Sequence, residues 1–474
     1  MLSASIEPDG ERDAELDVAR DGARDVARDA ELDFAALRAR EFARLDARGL
    51  AYLDYAATAL YGASQLRAHH ALLAAGVLGN PHSESAPSRA AGAAIERARH
   101  QVLAWFDADD ATHDACFTAN ASAAIKLVAE SYRFGPRAQL VLSADNHNSV
   151  NGIREYARRA GAAVTVLPLD AELRLADPEP RLAERAARGG GLFALPAQSN
   201  FSGVRHPLAL VARARALGFD VLLDAAAFAP SHPLSLRACP ADFAVVSFHK
   251  LFGYPTGVGA LIARRDALAR LARPWFAGGT VAYASVGAGV HRLHPGHDGF
   301  EDGTPDFLGI AALPAGFALL AEVGPARLAA HVARLTRELL DELGALRHRG
   351  GAPVVRLYGP PGADGRGGTV ALNVCDPRGD AVPYPVVEAR ARDAGVALRG
   401  GCFCNPGAAE AAFGLDPAAL AACLAASGDD VSPARIAACL GRAVGAVRLS
   451  LGLASNRRDV ARAVAVIASL AAAS

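Results

Sequence analysis

Residues 243–250, with the sequence FAVVSFHK, form an apolar run that ends on Ser247, His249 and Lys250. The run is short and rich in branched and aromatic side chains, which predicts a buried strand with polar residues at its downstream end. The glycine-rich sequence GYPTGVG follows at 253–259. A lysine at the mouth of a buried strand can have a lowered amine pKa and can form an imine with an aldehyde cofactor. Taken alone, Lys250 could equally be a surface lysine that ends a strand.

Short apolar runs alternate with helical stretches, such as 149–159 and 211–217, in the region around this segment. The runs between residues 100 and 275 are VLA, QLVLSAD, AVTVLPL, GLFALPAQ, VLLDAAA and FAVVSF. Strands separated by helices predict an α/β fold with a largely parallel, doubly wound sheet. Polar residues fall at the downstream ends of these strands, at Asn120, His147, 198–202, Asp224 and 247–250. Ligands collect at such ends in open α/β sheets.

Asp224 ends the strand VLL and precedes Lys250 by 26 positions. A carboxylate there could keep a pyridinium nitrogen protonated, so that the ring remains an electron sink for a carbanion at the substrate α-carbon. The alternative is an N-cap for a following helix, which is a common role for aspartate. The spacing and the strand-end position favour the cofactor role.

The chain length of 474 residues suits one large α/β domain with a smaller partner. The repeated element DVARD predicts a disordered or loosely helical extension at 1–33. Apolar residues at helical spacing then predict a helix that ends at Arg48-Gly49. We place the N-terminal segment and the large domain at 34–310. After a long helical stretch near 308–345, the strands VVRLYG, TVALNV, VALRGG and VRLSLG predict a smaller α+β domain at 311–474.

The charge balance is 49 basic against 50 acidic side chains, so we expect no broad field that would attract nucleic acid or an anionic membrane. No window approaches the ~20 uninterrupted apolar positions of a membrane-spanning helix. Charges near the N-terminus replace the apolar run of a secretory signal, which predicts a cytoplasmic protein. The seven cysteines are irregularly spaced and odd in number, which favours reduced thiols over a disulfide framework.

Eleven ordered segments resemble one family of enzymes. They are YLDYAATAL (52–60), GNPHSES (79–85), FTANASAAIKLVAE (117–130), DNHNSV (145–150), LPAQSNFSGVRHPL (195–208), LLDAAAF (222–228), SFHKLFGYPTGVGALI (247–262), FAGGTV (276–281), FEDGTPDFLGI (300–310), RGGCFCNPGA (399–408) and VRLSLGLASN (447–456). Together they resemble the class V aminotransferase and cysteine desulfurase family, and within it most closely the pyridoxal 5′-phosphate (PLP) domain of molybdenum cofactor sulfurases. The resemblance implies fold type I, with PLP bound to Lys250 as an imine and Asp224 at its ring nitrogen.

The resemblance also assigns the other cofactor contacts. The turn at Asn120, Ala121 and Ser122 would bind the phosphate, as free N–H groups at a helix N-terminus can do. The remaining implied roles are ring stacking and proton transfer by His147, contact with the cofactor hydroxyl and the substrate carboxylate by Asn200, further phosphate contacts by Ser247 and His249, and contact with the neighbouring subunit's phosphate by Thr280. The Thr280 role implies a homodimer. No metal is implied.

Two arginines and two cysteines are implied in handling the substrate. Arg448 matches the family's clamp for an amino-acid carboxylate and Arg399 a second guanidinium near it, since a planar fork grips a carboxylate with two hydrogen bonds. Aligning from Arg399 puts Cys404 at the position of the mobile cysteine of cysteine desulfurases, with Cys402 two residues upstream. A C-x-C pair could instead bind a metal, but zinc sites usually show wider spacing and a second ligand pair. The flanking glycines, Asn405 and proline indicate an exposed turn, not a buried cysteine pair.

These assignments predict desulfuration of L-cysteine to L-alanine, with the sulfur left as a persulfide on Cys404 or, alternatively, Cys402. Another PLP reaction, that of an aminotransferase, lyase or epimerase, remains open, and so does a sulfur-carrier scaffold without catalysis. Many relatives have glutamine three positions after the cofactor aspartate, where this chain has Ala227. The molybdenum cofactor sulfurases that this chain resembles continue into a further C-terminal domain. Because this chain stops at Ser474, we expect any sulfur acceptor to be a separate protein or small molecule.

Overall fold

The structure, a computed structural model, describes residues 34–429, 431–442 and 444–472. The extension predicted at 1–33 lies outside this range. The helix predicted before Gly49 is confirmed, because residues 34–41 and Ala43–Ala47 are helical. Gly49 has a φ of +59°, a left-handed conformation that glycine adopts without steric cost and that commonly ends a helix.

A seven-stranded sheet dominates the first two thirds of the chain. Its order is β2-β8-β7-β6-β5-β3-β4. The strands are β2 (His113–Thr118), β3 (Gln139–Ser143), β4 (Ala163–Leu167), β5 (Gly191–Pro196), β6 (Phe219–Asp224), β7 (Phe243–Ser247) and β8 (Gly259–Arg264). The pairs from β4 to β7 are parallel, whereas β8 runs antiparallel to both β7 and β2. The α/β fold class with a mostly parallel sheet is therefore confirmed.

The central strand β5 shows how this sheet separates two cores. Leu192 and Ala194 lie in one buried cluster, whereas Phe193 and Leu195 lie in the other. Successive side chains of a strand point to opposite faces of its sheet. A strand covered on both faces therefore needs an uninterrupted apolar run, as the sequence has here.

Helices cover both faces of this sheet. Those before residue 272 are Ala43–Ala47, Ala63–Ala75, Ala86–Trp105, Ala121–Ser131, Asn148–Asn151, Ile153–Arg159, Pro178–Ala186, Ala209–Ala216, Phe248–Phe252 and Arg265–Arg270. The helices predicted at 149–159 and 211–217 are confirmed within a residue or two. The run VLA at 102–104 was predicted as a strand, and this is wrong. It belongs to the helix Ala86–Trp105, whose buried residues, among them Ala91, Ile95 and Val102, recur at helical spacing.

The last third of the chain forms a second sheet with its own helices. The antiparallel sheet has the order β11-β12-β15-β14, with β11 (Val355–Tyr358), β12 (Thr369–Val374), β14 (Arg399–Gly401) and β15 (Ala446–Ser450). An exposed hairpin of β9 (Val281–Ser285) and β10 (Val290–Leu293) and a short 3-10 helix at Gly296–Gly299 precede it. The helices are Phe307–Val323, Pro325–Ala345, Tyr384–Asp393, Pro406–Phe413, Pro417–Ser427, Pro433–Leu440 and Arg457–Ala472.

The first strand of the described chain joins this C-terminal part. Strand β1 (Ala51–Tyr52) pairs in parallel with β13 (Val396–Ala397). A further parallel bridge joins Asp54 to Ser450 of β15. The N-terminal segment is thereby hydrogen-bonded to the end of the chain. The domain division at residue 310 stays a prediction.

The cysteines differ from the expectation of reduced thiols. Cys423 and Cys439 form a disulfide between the helices Pro417–Ser427 and Pro433–Leu440, so that expectation is wrong for these two residues. Their pairing depends on two helices meeting side by side, which cysteine spacing alone does not encode. The other five cysteines are free, and of these Cys402 and Cys404 are exposed. Among the described residues, two bent helix pairs have the length and composition to cross a membrane, but no single helix does.

Candidate active site

A cavity of about 210 Å³ opens where β5, β6 and β7 end. Pro196, Asp224 and Ser247 are the last residues of these three strands, and all three line it. Nine residues predicted for cofactor binding line the same cavity: Asn120, Ala121, Ser122, His147, Asn200, Asp224, Ser247, His249 and Lys250. The carboxyl ends of parallel strands meet at one edge of a sheet, which explains why residues so far apart in sequence converge there.

Lys250 lies in the short helix Phe248–Phe252, which begins directly after β7. Burial lowers the pKa of the Lys250 amine below its usual range, and the positive charges of Arg448 and Arg399 add to this effect. The carboxylate of Asp224 acts in the opposite direction but does not cancel it. An amine with a depressed pKa is more often neutral, and the neutral form is the nucleophile that forms an imine.

Asp224 faces the same cavity from the end of the neighbouring strand. It pairs in register with Val245 of β7, and its Oδ1 accepts a hydrogen bond of 3.0 Å from the backbone N–H of Ala226. The residues after Asp224 form a turn, so Asp224 is not the cap of a following helix. Its carboxylate is buried and faces the cavity that Lys250 lines.

A chain of hydroxyl and imidazole groups forms another wall of the cavity. The His147 Nδ1 accepts from the Ser149 N–H at 3.1 Å and lies 3.0 Å from the Ser149 Oγ. The Ser149 hydroxyl in turn lies 2.5 Å from that of Ser122. Burial lowers the pKa of His147, and the charge of Lys250 lowers it further. This imidazole is therefore held neutral and oriented by its neighbours.

Asn120 begins the helix Ala121–Ser131, and its Oδ1 accepts from the Ala123 N–H at 3.0 Å. The first N–H groups of a helix, together with its dipole, form a site for anions such as phosphate. Gly259 allows the chain to pass close by, since a Cβ at this position would lie 2.6 Å from the Asn120 carbonyl carbon. A side chain at the second glycine of the GVG sequence would therefore clash with the Asn120 backbone.

Arg448 lies on β15 with almost no exposed surface, 1% of its maximum. Its guanidinium donates to the carbonyl of Asn200 at 2.9 Å and to the carboxylate of Asp54 at 3.0 Å. It also lies over the ring of Phe403, with 4.7 Å from its central carbon to the ring centroid. The Arg448 Nε has no hydrogen-bond partner. A buried guanidinium with an unpartnered N–H can receive an additional carboxylate.

Arg399 is paired directly with Arg448 across strands β14 and β15. Unlike Arg448, its side chain is exposed. The structure therefore places the two predicted arginines side by side, one inside the protein and one at its surface. The positive charge of Arg399 contributes to lowering the pKa of Arg448, after the larger effect of burial.

The two free exposed cysteines lie on the loop between β14 and the helix Pro406–Phe413. Phe403 and Cys404 both have a φ of +55°, a left-handed conformation that costs a non-glycine residue about 1–3 kcal/mol. The carbonyl of Cys404 accepts from the Asn148 N–H at 2.7 Å, next to His147 in the chain. This hydrogen bond therefore holds the Cys404 backbone against the first residue of the helix Asn148–Asn151, which begins directly after His147.

Thr280 does not line this cavity. It is fully buried in a turn, where its hydroxyl donates to the carbonyl of Ala277 at 2.8 Å. The prediction that it serves a neighbouring subunit stays a prediction. Conversely, Ser149 and Asp54 were not singled out from the sequence, although each lies within a segment quoted for the resemblance, whereas Gln198 belongs to the strand-end polar group 198–202. Ser149 and Gln198 line the cavity, and Asp54 binds Arg448.

The cavity fits PLP. One observation is the buried hydroxyl of Ser247, which has no hydrogen-bond partner and belongs to a residue that lines the cavity beside the N-terminus of the helix Ala121–Ser131. A phosphate oxygen would supply the missing partner. The cavity also presents an amine to an aldehyde and a carboxylate to a basic ring nitrogen. Asn120, Ser122, Ser247 and His249 would hold the phosphate.

The chain belongs to the class V aminotransferase family, because the model of that family matches residues 51–462. Family, fold type I and PLP as the cofactor are thereby confirmed, and the protein is an enzyme of this PLP-dependent type. Among curated proteins, the molybdenum cofactor sulfurase of Arabidopsis thaliana is 36% identical over 458 residues, covering 88% of this chain and 55% of its own. That of Anopheles gambiae is 38% identical over 444 residues, covering 87% and 56%. The chain thus spans about half the length of these relatives.

Solved structures have the same fold. The cysteine desulfurase CsdA from Escherichia coli has a TM-score of 0.71 and 25% identity, covering 92% of this chain and 97% of its own. A cysteine desulfurase from Thermococcus onnurineus NA1, in its apo form, has a TM-score of 0.74 and 24% identity, covering 93% and 98%. At this level of identity the second likeness concerns the fold alone.

Proposed function

We propose that the protein is a cysteine desulfurase that converts L-cysteine to L-alanine and leaves the sulfur on Cys404 for transfer to an acceptor. The observation that carries this proposal is the position of Phe403. Its ring lies under the Arg448 guanidinium, and the next residue is the exposed Cys404. The contact between Phe403 and Arg448 therefore keeps the thiol-bearing residue Cys404 close to the guanidinium that would bind the substrate carboxylate. The names of the sulfurase and desulfurase relatives agree with this assignment.

Arg448 binds the carboxylate of the substrate in this proposal. A guanidinium can bind a carboxylate through two parallel hydrogen bonds, which fixes orientation as well as position. Hydrogen bonds to Asp54 and to the Asn200 carbonyl hold the guanidinium in place. Because these two groups and the Phe403 ring fix this plane, little conformational entropy remains to be lost when the substrate binds.

When bound, PLP supplies an electron sink for the bonding electrons of the substrate α-carbon. Lys250 would remove and return the α-proton, because its lowered pKa favours the neutral amine that can accept a proton. Asp224 would hold a proton on the ring nitrogen through its buried carboxylate. His147 would stack on the ring, and its Nδ1 lies 3.0 Å from the Ser149 hydroxyl, through which a proton could pass.

Cys404 takes the sulfur. Its thiolate attacks the sulfur atom of the bound cysteine, so that an S–S bond forms and the Cβ–S bond breaks. The electron pair of the broken bond remains with carbon, which takes up a proton and leaves as alanine. The net reaction converts L-cysteine and the Cys404 thiol to L-alanine and a Cys404 persulfide, so no external oxidant or reductant is consumed.

We also propose that the protein works as a homodimer, in which the turn that buries the Thr280 hydroxyl would have to open for this group to reach the partner's cofactor. The exposed apolar side chains around Thr280 support this proposal. Tyr283 and Val286 of the β9–β10 hairpin are 69% and 100% exposed, and Trp275 and Phe276 before it are 52% and 43% exposed. Large apolar side chains that are exposed and close together in the chain are the kind of surface that an interaction site presents.

The test incubates the purified PLP-bound protein with L-cysteine in the absence of reductant. Alanine and one added sulfur atom on the peptide containing Cys404 are measured by amino-acid analysis and mass spectrometry. We expect both in equal amounts in a single turnover. Pyruvate and free sulfide, with no sulfur added to the protein, would instead favour a lyase. Exchange of the α-proton with neither product would favour an epimerase or an aminotransferase.

A further inference from the structure

A buried polar network connects the cysteine loop to the large sheet. At its centre is Asp145, which follows β3 and has no exposed surface. Its carboxylate accepts three hydrogen bonds, from the Ser199 hydroxyl at 2.7 Å, the His206 Nε2 at 2.9 Å and the Asn405 Nδ2 at 2.7 Å. Asn405 is also fully buried, although it directly follows the exposed Cys404. A buried carboxylate thus fixes the residue after the proposed sulfur carrier.

The side-chain amide of Asn405 also joins the loop to Asn200, whose carbonyl binds Arg448. The Asn405 Nδ2 donates to the Asn200 Oδ1 at 3.0 Å, and the Asn200 Nδ2 donates to the Phe403 carbonyl at 2.7 Å. Three consecutive loop residues, Phe403, Cys404 and Asn405, are therefore hydrogen-bonded to the large sheet or to its loops. These bonds offset the cost of the two left-handed residues in the loop.

We propose that Asn405 is a positioning residue that holds Cys404 at the cofactor cavity through its hydrogen bond to Asp145. We call this contact the Asn405–Asp145 latch. The inference rests on the proposed function. It assigns the loop position seen in the structure to the step in which Cys404 takes the sulfur. Release of the latch frees the loop for the later step, in which the sulfur leaves to an acceptor. The latch acts through Cys404 and touches no reacting atom.

Asn405 has a second role that a test must separate from the first. Its Oδ1 caps the helix Pro406–Phe413 by accepting from the Ala408 N–H at 3.1 Å. Serine and aspartate cap helices as well as asparagine does. Asn405→Ser and Asn405→Asp therefore keep the cap and remove the amide donor. Asp416→Ala is the control, because it removes a cap from the next helix, Pro417–Ser427, and leaves the latch intact.

The first measurement separates the two halves of the reaction. We expect Asn405→Ser to slow formation of alanine in a single turnover on the order of tenfold, the effect of losing one hydrogen bond to a charged group. The persulfide, once formed, should pass its sulfur to dithiothreitol at the wild-type rate or faster. A general loss of structure would slow both halves. Equal slowing of both, or wild-type rates in both, would overturn the latch.

The aspartate variant adds a pH readout. Asn405→Asp sets two carboxylates against each other, so one of them binds a proton more readily and then donates to the other. Relative to wild type, its rate of alanine formation should recover as the pH falls, whereas that of Asn405→Ser should not. His206 is the ionisable group that contacts Asp145 in the described part of the chain, and both variants retain it. A constant ratio for Asn405→Asp across pH would contradict the latch.

A third measurement does not depend on activity. Hydrogen–deuterium exchange of the peptides covering 145–150 and 402–408 should rise in both Asn405 variants and not in Asp416→Ala. Unchanged exchange would overturn the latch even in an active enzyme. If wild type forms no alanine from cysteine, the proposed function fails, and the exchange experiment still decides whether Asn405 holds the loop.

Discussion

The guanidinium of Arg448 and the carboxylate of Asp54 lie 3.0 Å apart, although 394 positions separate them in the chain. Asp54 follows β1 and reaches Arg448 because this segment bridges to β15. The two ends of the described chain therefore build the proposed substrate site together. Removing one partner of a buried ion pair leaves the other charge without compensation. The resulting loss of folding free energy exceeds the stabilisation that the intact pair provides.

Arg448→Lys is expected to raise the KM for L-cysteine by about tenfold or more, with a smaller change in kcat. One ammonium group cannot bind Asp54, the Asn200 carbonyl and a bidentate carboxylate at the same time. Steady-state kinetics and the visible absorbance of bound PLP would be measured together. Arg378→Lys is the control, since this side chain is 82% exposed and binds Asp376 at the surface. An unchanged KM would remove Arg448 from substrate binding.

Lys250→Ala is expected to abolish covalent attachment of PLP and all turnover. Its amine has the lowered pKa and the position in the cavity that imine formation requires. After borohydride reduction, mass spectrometry should find PLP on the wild-type peptide containing Lys250 and none on the variant. Lys126→Ala is the matched control, because Lys126 is 66% exposed and pairs with Glu130. Retained covalent PLP in Lys250→Ala would place the attachment elsewhere.

Cys404→Ser and Cys402→Ser should differ. We expect Cys404→Ser to bind PLP and L-cysteine but to form neither persulfide nor sulfide, because serine cannot accept the sulfur. Cys402→Ser should keep most of the sulfide release, since the Cys402 thiol takes no part in the proposed reaction. Sulfide release with dithiothreitol is the assay, and PLP absorbance checks integrity. The reverse pattern would transfer the carrier role to Cys402.

Stability should fall as the pH is lowered from 6.5 towards 4, partly because of His331. Burial lowers the pKa of His331 from 6.5 to about 4, and its Nε2 donates to the Ser455 carbonyl. Between pH 4 and 6.5 the unfolded chain binds a proton at this histidine that the folded protein does not bind. The free energy of unfolding therefore rises with pH, and the full contribution of His331 is present above pH 6.5. The difference corresponds to about 3 kcal/mol at ~1.4 kcal/mol per pKa unit.

Urea unfolding at a series of pH values would check this contribution. His331→Gln keeps a donor for Ser455 and removes the titrating ring, so its stability should vary less between pH 4 and 6.5 than that of wild type. His70→Gln, at an exposed position, is the control and should follow the wild-type curve. Identical slopes for His331→Gln and wild type would contradict the assignment.

Reduction of the Cys423–Cys439 disulfide should loosen the two helices that it joins and little else. A closed loop of about 15 residues stabilises by about 3 kcal/mol in the chain-entropy account, and the separation here is 16. Hydrogen exchange with and without dithiothreitol should rise in peptides within 417–440, and Cys423→Ser should reproduce this rise without reductant. A rise that extends to β12 would show a wider structural role.

The cofactor cavity could be predicted because its residues obey a local rule. Asp224 and Lys250 each follow a buried apolar run, and the ends of parallel strands meet. No local pattern marks the contacts between distant segments. The pairing of Asp54 with Arg448 depends on β1 joining the C-terminal part, and the pairing of Cys423 with Cys439 depends on two helices meeting. The run VLA misled because three residues fit a strand and a helix equally well.

Strand β1 has a practical consequence for anyone who divides this protein. A fragment covering residues 113–264 would keep most of the side chains that line the cofactor cavity and lose Arg448, the arginine proposed to bind the substrate carboxylate. A fragment that begins after residue 54 would keep that arginine and lose its anionic neighbour. Shortening the N-terminal segment past Asp54 would therefore alter the proposed substrate site, although the arginine of that site lies near the C-terminus.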